Sequence, residues 1–315
     1  MRLDESARSP SVAPAPPHFT GGPLITSTVS TLPLAGMSAL VTGGSGSIGA
    51  ACAAKLLQDG CSVTLLARHR DALKRTRDRL LPMARGGAQI RLVEGDALIR
   101  SDVQAAVAAT MEINGTVNIC VATVGGGSFK PLLMQDEDSV MDELAYNIKS
   151  AFLAIRHCIA PMAANGGGSI VLISSEAARM PADWVSIYST AKAGVDGLVR
   201  ASASELSRYK IRVNGVRPGL TRAETTQFAF HSEESIQKAA AKYPLARLGE
   251  PEDIAAGVRY LAGPESSWVT AQCISVDGGG ELRSPANRID LLKQLHGEEV
   301  IAQVLAGQEP TSTTN

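Results

Sequence analysis

The chain has 315 residues, 44% of them hydrophobic and 19% charged, and its 30 basic and 31 acidic residues leave a formal net charge of -1. That is ordinary globular composition, with no basic block to suggest a nucleic-acid footprint and, at 4% aromatic, little material for base stacking. No apolar stretch reaches the roughly 18 residues that a membrane span needs, and Arg2 and Arg8 are not followed by the apolar core of a secretion signal. The cysteines (Cys52, Cys61, Cys120, Cys158 and Cys273) are odd in number and lack C-x-x-C spacing. That pattern predicts free thiols in a reducing, cytoplasmic setting rather than disulfides or a metal site.

Residues 1–33 are rich in Pro, Ser, Thr and Gly and read as a disordered tail. From Leu34 onward apolar runs alternate with helical patterns. Short runs at 38–42, 61–67, 89–93, 117–124, 169–174, 211–216 and 272–276 read as buried strands. Helical patterns lie near 47–59, 70–81, 101–113, 136–164, 189–209 and 251–262. Such alternation predicts a parallel sheet with helices on both faces. One domain over 34–281 accounts for it, since no repeat or second alternating block follows. In the extension 282–315, Ile289, Leu292, Leu295, Val300 and Val304 are spaced for an amphipathic helix or helix pair, expected to pack as an appendage rather than cover a substrate.

The first strand, Ser38-Ala-Leu-Val41, runs into Thr42-Gly43-Gly44-Ser45-Gly46-Ser47-Ile48-Gly49 and then into a helix. A glycine-rich turn between strand and helix offers backbone N–H groups and a positive helix end, both suited to a pyrophosphate. The spacing resembles the T-G-x-x-x-G-x-G pattern of the short-chain dehydrogenase/reductase family, with Ser47 at the middle glycine. The resemblance implies a Rossmann-like, doubly wound α/β fold and a nicotinamide dinucleotide held by Gly43, Ser45, Ser47 and Ile48. The second strand ends at Ala67-Arg68, where an acidic residue would bind a bare ribose 2′-hydroxyl and a guanidinium instead matches a 2′-phosphate. NADP(H) is therefore expected as the preferred cofactor, with NAD(H) as the alternative. Asp96 and Ala97, after the third strand, match the family's adenine-side position. The family's N-N-A-G motif aligns with Ala122, Thr123, Val124 and Gly125, so both asparagines are missing and Thr123 stands as a partial substitute.

Tyr188 and Lys192 are four residues apart on a predicted helix and so share one face. Ser175 precedes the tyrosine by 13 residues, the family spacing, and Asn147 falls on the preceding long helix. By this resemblance Tyr188 is the acid–base group, its phenol brought down from about 10 by Lys192 and the nicotinamide charge. Ser175 is expected to hold the developing oxyanion, and Asn147 a water leading from Lys192 to solvent. Pro218 and Gly219 resemble the nicotinamide-side loop. The family threonine expected five residues after the proline is Ala223 here, which leaves Thr221 as the carboxamide contact.

Together these readings predict an oxidoreductase that interconverts a secondary alcohol and a ketone. The small-molecule substrate would be contacted by Gly126, Phe129, Met180, Trp184 and a polar, mobile-looking segment 222–242 that holds Phe228 and Phe230. A 3-oxoacyl-carrier-protein reductase, with Arg179 and Arg222 facing the carrier, is one alternative. A non-catalytic nucleotide-binding regulator is the other. The family commonly forms homotetramers, so a homo-oligomer is expected, a tetramer or a dimer.

Overall fold

The computed structural model describes residues 32–282 and 289–308. Seven parallel strands form one sheet: β1 (Ser38–Thr42), β2 (Ser62–Ala67), β3 (Ile90–Glu94), β4 (Ile119–Ala122), β5 (Gly168–Ile173), β6 (Ile211–Pro218) and β7 (Cys273–Val276), in the order β3-β2-β1-β4-β5-β6-β7. The strand runs are apolar on both faces because both faces are covered. Ala39, Val41, Val63, Leu65, Ile119, Val121 and Val171 point into one core, while the alternate residues Leu40, Leu66, Cys120, Ala122, Ile170 and Leu172 point into the other.

The first core is closed by α1 (Ser47–Gln58) and α2 (Arg70–Leu80), and the second by α3 (Arg100–Asn114). The apolar periodicity read as one helix over 136–164 is in fact α4 (Glu137–Leu144), a π-helical turn Ala145–Lys149, and α5 (Ser150–Ala164). α5 and α6 (Ser186–Leu206) complete the second core. α7 (Glu233–Ala240) stands where a mobile polar stretch was expected; the Ser232 hydroxyl caps it by accepting from the Ser235 N–H, and Glu233 and Glu234 complement its dipole. That Ser-Glu-Glu start was the signal in the sequence. α8 (Pro251–Ala262) returns to the first core.

The C-terminal pattern is a helix pair, α9 (Ile289–His296) and α10 (Glu298–Leu305), joined at Gly297 with φ +89°. Ile301 is buried, whereas Leu292, Leu295 and Val304 face outward. The expectation for residues 1–33 lies outside the described residues apart from Leu32 and Pro33. All five cysteines are free thiols, four of them buried. Among the described residues no helix is long and apolar enough to cross a membrane, and no His, Cys, Asp or Glu group is placed to hold a metal ion.

Candidate active site

In this strand order the chain reverses direction between β1 and β4, which opens a crevice at the carboxyl ends of the strands. The glycine-rich turn lies there. Gly43 has φ +68°, and a side chain on it would meet the Thr123 hydroxyl at 2.5 Å. The Gly46 N–H donates to the Gly43 carbonyl at 3.0 Å, which folds the turn tightly. Helix α1 then begins with no side-chain cap and no acidic residue in its first turn. That uncapped positive end, flanked by partly exposed Ser45, Ser47 and Ile48, suits a pyrophosphate.

At the end of β2, Arg68 is exposed and makes no ion pair among the described residues, whereas Arg70 lies 3.9 Å from Glu94. Ala97 is buried. Asp96 sits in the loop after β3, where one carboxylate oxygen accepts from the Leu98 N–H at 2.9 Å. The missing asparagine contacts are partly replaced: the Thr123 hydroxyl donates to the Thr42 carbonyl at 2.7 Å and ties β4 to β1.

Four side chains converge beyond the ends of β4 and β5. Tyr188 is half-buried, with its phenol near Ser175. The Lys192 ammonium lies 5.7 Å from the Tyr188 ring centre and donates to the Ile173 carbonyl at 2.9 Å. Burial pushes Lys192 down to about 8, opposed by Asp196 one helical turn on; Asp196 itself is held in a buried ion pair with Arg217 at 2.7 Å. The protein groups alone shift the Tyr188 phenol upward. Desolvation holds the phenol above its usual value; the Ser175 hydrogen bond opposes this, and the charges of Glu176 and Glu143 add to it. A neutral phenol of this kind is a proton donor.

Asn147 lies in the π-helical turn, and its side chain explains that turn. Its Nδ2 donates to the Glu143 carbonyl and to the Gly126 carbonyl, each at 2.8 Å, and its Oδ1 accepts from the Gly126 N–H at 3.1 Å. A carbonyl released from the regular helical ladder is thereby satisfied, as at other π-bulges near functional sites. Both amide hydrogens and one oxygen lone pair are committed, so the side chain holds the Gly126 peptide in place.

Pro218 ends β6, and Gly219 presses against Asp277, where a side chain would come within 2.9 Å of the backbone. Thr221 is buried beneath Gly249 and donates to the Gly219 carbonyl at 2.9 Å, which braces the loop. Around the mouth, Phe129 and Trp184 are 66% and 58% exposed. Trp184 has φ +70°, and its carbonyl accepts from the Lys130 N–H, which joins the two rims. Phe230 packs against the Tyr243 cluster and under the Arg222 guanidinium at 4.3 Å; the Phe228 side chain lies outside the described residues.

The sequence reading missed the reason for Gly125-Gly126-Gly127. A side chain on Gly125 would lie 2.6 Å from Asn147 Oδ1 and 2.7 Å from Lys192 Nζ; one on Gly127 would meet the Tyr188 ring at 2.5–2.6 Å. Three adjacent glycines directly after a strand end, opposite a predicted Tyr-Lys pair, were the signal that could have shown it. A cavity of about 660 Å³, lined by Gly168, Lys210 and Trp268, opens at the amino ends of β4–β6, away from this chemistry.

A family model described as enoyl-(acyl carrier protein) reductase matches residues 43–281. The L-rhamnose 1-dehydrogenase (NAD(P)(+)) of a Sphingomonas species is 32% identical over 247 residues, 78% of this chain and 96% of its own length. A short-chain dehydrogenase/reductase from Mycobacterium ulcerans superposes with a TM-score of 0.77 at 32% identity, over 86% of this chain and 99% of that one. A 7α-hydroxysteroid dehydrogenase solved with NADH and 7-oxo glycochenodeoxycholic acid superposes with a TM-score of 0.73 at 30% identity, over 79% and 96%. The strand order, the glycine turn and the Tyr188–Lys192 helix agree with these relationships, and the chain belongs to the short-chain dehydrogenase/reductase family of oxidoreductases.

Proposed function

We propose that this protein is an NADP(H)-dependent reductase/dehydrogenase interconverting a ketone and a secondary alcohol, with Tyr188 as the acid–base group. The observation that carries the reading is the convergence of Ser175, Tyr188, Lys192 and Asn147 behind a glycine run in which Gly125 and Gly127 leave no room for a side chain. Gly43, Ser45, Ser47, Ile48 and the start of α1 would hold the pyrophosphate, Arg68 the 2′-phosphate, Asp96 and Ala97 the adenine side, and Pro218 and Gly219 the nicotinamide side. When bound, the cofactor supplies or accepts the hydride.

The chain's own residues do the rest. Ser175 donates to the carbonyl oxygen as charge grows on it. Tyr188 gives that oxygen its proton, or takes it back in the oxidation direction. Lys192, held by Ile173, favours the phenolate that results, and Asn147 fixes the Gly126 peptide over the pocket floor.

The preference for NADP(H) rests on Arg68, exposed and without an ion pair among the described residues, next to Ala67, which brings no carboxylate. One relative is named for both NAD and NADP, so NAD(H) stays the second cofactor to test. For the acyl-carrier alternative, Arg179 and Arg222 are exposed but already paired, with Glu281 at 2.9 Å and Glu250 at 3.1 Å. Exposed Leu133, Met134, Met141 and Phe152 around α4 and α5 support a homo-oligomer, and free thiols fit a reducing, cytoplasmic setting. The test is oxidation of NADPH and of NADH with a panel of apolar ketones. Turnover with NADPH is expected; nucleotide binding without turnover on any carbonyl would favour the regulator instead.

A further inference from the structure

Tyr243 lies between α7 and α8, 8% exposed, in a small apolar cluster with Ala240 and Leu248 against which Leu220, Phe230 and Ile236 pack. Its hydroxyl accepts from the Leu220 N–H at 2.9 Å and donates to Glu176 Oε1 at 2.8 Å. Leu220 directly follows Pro218 and Gly219, and Glu176 directly follows Ser175. The third side is closed by the loop after β7: a side chain on Gly280 would come within 2.7 Å of the Tyr243 ring. One hydroxyl therefore joins the loops after β5 and β6 to the segment 222–248, against a backbone with no room to retreat.

We propose that Tyr243 is a positioning residue that latches segment 222–248 over the site, so that seating this segment and fixing the Ser175 and Pro218-Gly219 loops are one event. A phenol suits this role because its ring anchors in the apolar cluster while its single oxygen both accepts and donates. The carboxylate end gives the bond to Glu176 the strength of a charge-assisted contact. The aliphatic cluster alone would hold the segment without register; the two directed hydrogen bonds supply it. The inference rests on the proposed ketone-reducing function and on reading segment 222–242, extended here to Leu248, as the substrate side.

The test uses the full-length protein with Tyr243→Phe, Glu176→Ala, their double variant, and Glu176→Gln, which keeps an acceptor for the phenol. Limited proteolysis of the nucleotide-free and the NADPH-bound protein reads the latch without turnover. Tyr243→Phe and Glu176→Ala are each expected to speed cleavage within 222–248 about tenfold, and to lower kcat/KM for a ketone by about ten- to a hundredfold, chiefly through kcat. The double variant should be no worse than either single one, and Glu176→Gln should restore protection to within about threefold of the wild type. Unchanged cleavage in Tyr243→Phe, or additive effects in the double variant, would overturn the latch. Failure of the wild type to turn over any ketone would strike the proposed activity, while the cleavage rates would still decide the latch.

Discussion

Replacing Gly125 with alanine adds one methyl group at the point where the site has least room. The new Cβ would lie 2.6 Å from Asn147 Oδ1 and 2.7 Å from Lys192 Nζ, against an ordinary contact near 3.4 Å, so one or both groups must move by about 0.7 Å. Neither is free to do so. Asn147 is held by three hydrogen bonds to Gly126 and Glu143, and Lys192 by the Ile173 carbonyl at 2.9 Å. Overpacking of this kind costs about 1–3 kcal/mol of stability, and a shift approaching 1 Å at catalytic groups costs up to about a hundredfold in rate. Gly125→Ala is therefore expected to lower kcat by about 30- to 100-fold while the protein still folds, with a loss of a few degrees in Tm. Gly126→Ala is the control, since its added Cβ would meet only the Tyr146 ring, at 3.4 Å; it should stay within about tenfold of the wild type. Steady-state kinetics with NADPH and an accepted ketone, beside thermal denaturation, read both. Wild-type kcat in Gly125→Ala would refute the packing argument.

Thr123→Val removes the hydroxyl that ties β4 to the Thr42 carbonyl at 2.7 Å and should cost about 1–2 kcal/mol in chemical denaturation; no loss would mean the lost asparagine contacts are replaced elsewhere. Lys192 titrates near 8 in the folded protein and near 10.5 when unfolded, so the unfolded chain binds more protons between these values and stability from this group rises with pH across that window. Relative to Lys192→Met, the wild type should gain up to about 3 kcal/mol from pH 8 to pH 10.5; a difference constant with pH would contradict the burial argument. Ala67→Asp/Arg68→Ala should move the kcat/KM ratio toward NADH by about ten- to a hundredfold; no shift would remove Arg68 from the 2′-phosphate.

The strands were legible because two covered faces demand uninterrupted apolar runs, and each observed strand ends within two residues of its run. The candidate set was legible because its spacing is restricted: Tyr188 and Lys192 share one helix face, and Ser175 follows the end of β5 by two residues. What the sequence hid depended on neighbours distant in the chain. The break in the 136–164 helix follows from Asn147 bonding to Gly126, 21 residues away, and apolar periodicity carries no trace of such a bond. The direction of the Tyr188 shift depends on burial and on Glu176 and Glu143 lying near the phenol. Thr221 was placed by position alone, and its bond to the Gly219 carbonyl and its bridge to Gly249 leave no mark in the sequence.

The central claim is that the Tyr188 hydroxyl carries the proton in a hydride-transfer reaction. Tyr188→Phe removes that hydroxyl and keeps the ring against Gly127. The most direct measurement is single-turnover oxidation of bound NADPH by an accepted ketone in wild type and Tyr188→Phe, with the NADPH dissociation constant taken by fluorescence titration. The account predicts a dissociation constant within about threefold of the wild type and a rate lowered by at least about a hundredfold, the contribution expected of a positioned general acid. A rate within about tenfold of the wild type, with NADPH bound equally well, would contradict it.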